Sequence, residues 1–85
     1  MDITSYPEKF SNEITVEISA DVEDHCIIVL SHPSGRILRM MGVNLTQGRN
    51  NIYVDNVESL ESGDYQLSVK NTESHLLYSS VLTKD

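Results

Sequence analysis

The sequence predicts an all-β domain, an Ig-like antiparallel sandwich of six or seven short strands. Three observations carry that expectation. Apolar and polar residues alternate with period two in several separate segments, the mark of a strand with one dry face and one wet face. Clusters of turn residues divide those segments at regular spacing. No segment has a convincing helical period; only "NVESLES", Asn56 to Ser62, has the makings of a helical turn, and it is short.

The elements follow in chain order. "TSYPEKF", Thr4 to Phe10, is expected to add an edge strand, because proline is tolerated at an edge and not in a central strand. "EITVEIS" alternates strictly, with Ile14, Val16 and Ile18 inward and Glu13, Thr15, Glu17 and Ser19 outward. The acidic "ADVEDH" reads as a loop. "CIIVLS", Cys26 to Ser31, is apolar on both faces and is expected to be a central strand. "HPSGR" is turn chemistry: Pro33 presets its φ, and Gly35 accepts the left-handed conformation that ends a short hairpin loop. "RILRMM" is a third strand, "TQGRNN" a turn, and "NIYV" a fourth strand with Ile52 and Val54 inward. "YQLSV" is the next strand, "NTES" a polar turn, and "HLLYSSVLTK" the last strand. The alternation puts Ile14, Val16, Ile18, Ile28, Leu30, Ile52, Val54, Leu67 and Val69 in the core.

Between the fourth and fifth strands lies "VESLESGDYQLSV", in which Leu60, Gly63 and Tyr65 open the alternating run. In sandwiches a tyrosine near the start of a late strand anchors a corner, its hydroxyl bonding to backbone a few residues upstream. Leu60, Gly63 and Tyr65 stand where such a corner needs them.

Composition limits the functions available. At 85 residues the chain is one small domain, burying roughly 60–65% of its unfolded surface. The net charge is −7, from thirteen acids against six bases. Those bases are scattered, so there is no basic face to displace counterions from a nucleic acid. An anionic membrane surface would repel the chain, and no apolar run approaches the roughly 20 residues of a membrane span. Direct membrane insertion is therefore not expected. One cysteine, Cys26, allows no internal disulfide and no paired-thiol zinc site.

Catalytic and metal chemistry is equally hard to find. Asp21, Glu23 and Asp24 are closely spaced but lack the glycine-punctuated pattern of a calcium loop, so they read as solvated acids. His25 and Cys26 are adjacent in a strand and project to opposite faces, which disfavours joint ligation. His25, His32 and His75 fall at turns or strand ends, and no pattern sets a serine beside one of them. The glycines are isolated punctuation, with no phosphate-cradling loop. The expectation is a non-enzyme without cofactor or metal.

In order along the chain, five motifs resemble the C-terminal sorting domain of the type IX secretion system of Bacteroidetes. Such domains open with a Tyr-Pro-Asn-Pro-Phe-like segment, and "YPEKFSNEITVEIS" is similar in Tyr6, Pro7, Phe10 and Asn12, departing at Glu8 and Lys9. "LSHPSGRIL" matches the family's Asp-x-x-Gly-Arg/Lys turn in Gly35 and Arg36, with His32 where aspartate is usual. Leu45, Gly48, Asn50 and Ile52 fit Leu-x-x-Gly-x-Asn-x-Ile. Leu60, Gly63, Tyr65, Leu67 and Val69 fit Leu-x-x-Gly-x-Tyr-x-Leu-x-Val. The family ends in a strand with a terminal basic residue, which Tyr78, Leu82 and Lys84 resemble.

The resemblance implies a non-catalytic module at the tail of a larger secreted protein, passing through the periplasm to the cell surface or the medium. Its partners would be the outer-membrane secretion machinery and the cargo domains of its own chain, with the module itself a monomer. Tyr78, Leu82 and Lys84 are then the candidate recognition residues, because an edge strand offers unpaired backbone groups to a partner. The alternative is an Ig-like accessory or adhesive module binding protein or carbohydrate, for which Tyr6, Tyr53 and Tyr78 are the candidate exposed aromatics.

Overall fold

A computed structural model describes all residues, 1–85, and contains eight strands and no helix. They are β1 (Asp2–Tyr6), β2 (Lys9–Phe10), β3 (Ile14–Ala20), β4 (Asp24–Ser31), β5 (Ile37–Leu45), β6 (Gly48–Val54), β7 (Gly63–Lys70) and β8 (Leu76–Lys84). Two sheets face each other: a three-stranded one in the order β1-β3-β6, and a five-stranded one in the order β2-β8-β7-β4-β5. Every pairing is antiparallel except β2 with β8, which is parallel. The all-β sandwich expected from the alternation is the fold observed.

The core lies between the sheets. Ile14, Val16 and Ile18 from one sheet meet Ile28, Leu30, Leu67 and Val69 from the other, all buried. Phe10, Val57 and Leu82 close its ends and are equally buried. Eight of the nine residues expected in the core are buried; Ile52 is half-buried, because β6 is an edge strand with β3 on one side only. Thr15, expected on the wet face, is buried. It sits on the central strand of its sheet, with Tyr6 and Tyr53 as its ladder partners on either side.

The strands number eight where six or seven were expected, and several boundaries differ. β4 begins at Asp24, inside the expected "ADVEDH" loop. β6 begins at Gly48, inside the expected "TQGRNN" turn, because Gly48, Arg49 and Asn50 pair with Ala20, Ser19 and Ile18. "TSYPEKF" forms two short strands, one in each sheet, with Pro7 between them. Proline has no N–H for a ladder, so the chain changes sheets there. The third strand runs on through Gly42 to Leu45, because Val43 and Leu45 keep facing inward opposite Cys26 and Asp24. "NVESLES" is not helical. It is a turn closed by the Leu60 N–H donating to the Val57 carbonyl at 3.1 Å, with Asn56 at a φ of 59°. β4 is central, between β7 and β5, and its outward Val29 is covered by both neighbours.

Candidate functional site

Gly63 starts β7 at a φ of 140°, a conformation open to glycine and strained for other residues. A Cβ there would meet nothing within 4 Å, so backbone conformation, not space, is what calls for glycine. Two residues on, Tyr65 turns into the core and its hydroxyl donates to the Glu61 carbonyl at 2.6 Å. That bond ties the strand to the loop before it, in the geometry of a sandwich corner. Its ring packs tilted against Phe10, with centroids 6.2 Å apart, and edge-on against His32 at 6.4 Å. Leu60 is half-buried against the same core.

The corner and the end of the chain form one unit. Tyr65 pairs with Leu82 across the ladder, and Gly63 with Lys84. On the other side, β2 pairs with Thr83 and Lys84. The Thr83 N–H donates to the Glu8 carbonyl at 2.8 Å, and the Asp85 N–H to the Phe10 carbonyl at 3.0 Å. Ser62 Oγ donates to the Asp85 carbonyl at 2.7 Å, and Ser11 Oγ bonds the Asp85 carboxylate. Thr83 Oγ1 adds a bond to Asp64 Oδ1 at 2.8 Å.

These contacts correct the expectation of a free, exposed terminal strand. Leu82 is a core residue, and Lys84 is half-buried with β-partners on both sides. Tyr78, grouped above with the exposed aromatics, faces between the sheets, where its hydroxyl and that of Ser5 share a hydrogen bond at 2.8 Å. The open part of β8 is its first two-thirds. From Leu76 to Val81 no strand lies beyond it, because β2 covers only its last turn of ladder. Leu76, Leu77 and Val81 are exposed there, and the whole run "LLYSSVLT" is uncharged.

The "HPSGR" turn closes β4 onto β5. The His32 N–H donates to the Arg36 carbonyl, and the Gly35 N–H to the His32 carbonyl, both at 2.8 Å. Gly35 has a φ of 98°. His32 Nδ1 accepts the Ser34 N–H at 3.1 Å, which is the bond an aspartate side chain would accept at the first position of such a turn.

Two residues with a structural task were not singled out for it by the sequence. Asn50 clamps the β5–β6 turn. Its Oδ1 accepts from the Thr46 N–H and hydroxyl, and its Nδ2 donates to the carbonyls of Ile18, Thr46 and Gly48. Asn71 does the same for the β7–β8 turn, its Oδ1 accepting the N–H groups of Glu73 and His75. Asparagine in a glycine- or serine-containing turn is the signal for both.

Asp21, Glu23 and Asp24 are exposed, and no group of three or more His, Cys, Asp or Glu side chains is close enough to hold a metal ion. A groove of about 500 Å³ lies between the β3–β4 loop and the β5–β6 turn, lined by Glu23, Asp24, His25, Asn44, Leu45 and Thr46. In it His25 Nδ1 bonds Asn44 Oδ1 at 2.6 Å. Cys26 points the other way and is buried; burial pushes its thiol above the ordinary value of 9.0, and the nearby Asp24 carboxylate adds to the rise. It is a core residue.

On the outer face of the three-stranded sheet, Tyr6 and Tyr53 flank Thr15 and are each about half exposed. Glu17 follows on the same face, bonded by the Tyr6 hydroxyl at 3.5 Å and paired with Arg49 at 3.3 Å.

No family model matches the chain, and no curated protein is similar to it. Among solved structures, the chain is similar in fold to part of a β-glucosidase from Listeria innocua, crystallised as a mutant with laminaribiose. The TM-score is 0.55 at 11% identity, over 99% of this chain and 16% of the enzyme. The chain thus spans a small part of that enzyme's length, and the likeness is one of fold.

Proposed function

We propose that this domain is a non-catalytic sorting module: the C-terminal part of a larger exported protein, read by an outer-membrane secretion machinery of the type IX kind. The observation that carries the reading is the last strand. Its end is strapped between β2 and β7, so its position is fixed, while its first two-thirds presents an uncharged, apolar edge. A fixed edge with unpaired backbone groups is what a partner can extend by strand addition. The order of the five motifs supports the same reading, and the corner joins two of them, since Tyr65 lies opposite Leu82. On this reading the cargo precedes the domain in the same chain and travels through the periplasm to the cell surface or the medium. No helix is long and apolar enough to cross a membrane.

The test is an export assay in a bacterium with a type IX system, using a periplasmically exported reporter fused ahead of residues 1–85. The reporter is expected outside the cell. Leu77→Lys places a charge on the open edge and is expected to reduce export while leaving the melting temperature of the isolated domain within a few degrees. Lys84→Glu reverses the terminal charge, and a drop in export at unchanged stability assigns Lys84 to recognition. A reporter that stays in the periplasm, folded and intact, sinks the proposal.

A further inference from the structure

The outer face of the three-stranded sheet lies away from the β8 edge on which the sorting reading rests, and it carries the molecule's two half-exposed tyrosines on one rung. Tyr6 of β1 and Tyr53 of β6 stand opposite Thr15 of β3 from either side, and directly opposed residues share one face of a sheet. Neither ring is needed to fill the core, which lies on the other face. The next rung along carries Thr4, Glu17 and Asn51, a row of hydrogen-bonding groups beside the aromatic row. We infer that this face binds a neutral, extended β-linked polysaccharide chain, with Tyr6 and Tyr53 as two stacking platforms.

Three features select that occupant. The first is chemistry: a pyranose ring has an apolar face of C–H groups and a rim of hydroxyls, matching an aromatic ring with donors and acceptors beside it. The second is spacing. The backbones that carry the two tyrosines are two strand separations apart, about 10 Å, the order of the repeat at which every second ring of an extended β-1,4-linked ribbon presents the same face. The third is charge. The protein is strongly acidic, yet on this face Glu17 is held by Arg49 at 3.3 Å and by the Tyr6 hydroxyl. The acidity of the whole repels anionic polymers, and no free cation on the rung calls for one.

Sheet twist sharpens the inference. Adjacent strands turn by roughly 20–25°, so platforms two strands apart are rotated by about 45°. Such a pair fits a single, twisted chain in solution and not the flat surface of a crystalline polymer.

The experiment uses residues 1–85 and three soluble probes: the hexasaccharides of β-1,4-linked glucose, xylose and mannose. Backbone amide shifts are followed by NMR during titration of the unmodified protein. At least one probe is expected to shift amides clustered at Tyr6, Thr15, Glu17 and Tyr53. Tyr53→Ala is expected to weaken that binding about tenfold or more, and Tyr53→Phe to retain most of it, because stacking needs the ring. Tyr6→Ala is read alongside its melting temperature, since Tyr6 neighbours the buried Thr15 across the ladder; the unmodified protein's shift map stands whatever that variant does. No shifts with any of the three probes overturns the inference. Shifts that map to the β8 edge or the β3–β4 groove overturn it too.

Discussion

Replacing Tyr65 with phenylalanine removes one oxygen and leaves the ring between Phe10 and His32. The lost bond is the one to the Glu61 carbonyl, so the variant isolates the contribution of the corner. A loss of about 1 kcal/mol is expected, and for a domain of this size that corresponds to a fall of about 4–8 °C in thermal midpoint. An unchanged midpoint would mean the bond contributes nothing. Cys26 gives a second residue-level prediction, of pH dependence. Its thiol is raised above 9.0 in the folded protein. The folded state therefore holds this proton more tightly than the unfolded chain does. Its contribution is fully present below the unfolded value and is lost as pH rises through the folded one. Urea midpoints measured upward from pH 8 should fall more steeply for the native sequence than for Cys26→Ala; parallel curves would refute this. The corner was legible in the sequence because its parts are close together: a glycine where φ is positive and a tyrosine two residues on. The burial of Thr15 was not legible, because its neighbours on that face, Tyr6 and Tyr53, come from β1 and β6. Ladder register decides that contact, and alternation within β3 cannot show it.

For the strands, the same division holds between what is local and what is paired. Strands β3, β4 and β7 announced themselves by alternation or by an unbroken apolar run. In the sequence Gly42 looks like punctuation after "RILRMM", whereas the pairing of Val43 with Cys26 carries β5 past it. β2 was invisible as a separate element; two residues have no period, and it exists only because β8 lies beside it. β8 was legible as a strand, but which part of it is open was not, since that depends on where β2 ends. Deleting Ser79 to Asp85 therefore has a different expected outcome from the loss of a free tail. It removes the partners of Gly63 to Ser68 on β7, both contacts to β2, and the buried Leu82. Far-ultraviolet circular dichroism of the truncated chain is expected to show loss of the folded sheet at 25 °C. A truncated chain with an intact β spectrum and a cooperative melt would show that the end of β8 is dispensable. Charge reversal and edge substitution are thus the informative probes of recognition, and truncation is a probe of stability.

Across the whole molecule, the two ends of the chain complete each other. Phe10 comes from the first strands and Leu82 from the last; both are buried, and β2 and β8 are hydrogen-bonded. Beside the β4–β5 and β7–β8 hairpins, the sandwich is held by pairings that join distant parts of the chain, β3 to β6 and β4 to β7, each across an intervening strand pair. An all-β domain built this way folds slowly for its size, in roughly milliseconds to seconds, because loop-closure entropy precedes the reward of contact. It also has little stability in reserve, since small domains lie toward the low end of the range of about 5–15 kcal/mol. Truncating Phe10 to alanine costs about 3–5 kcal/mol, and Leu82 to alanine about 2–5 kcal/mol. Either substitution is expected to bring the domain close to unfolding at 25 °C, although the two residues sit at opposite ends of the sequence. If the ends do form one cooperative unit, each variant melts in a single transition. Circular dichroism of the sheet and fluorescence of the tyrosines should then give coincident curves. The contrary outcome is specific: Phe10→Ala releases β1 and β2 first, the tyrosine signal changes early through Tyr6, and the remaining sheets melt later at nearly the native temperature. That result would make the N-terminal strands an appendage, and β2 would no longer count as an anchor for the open edge of β8.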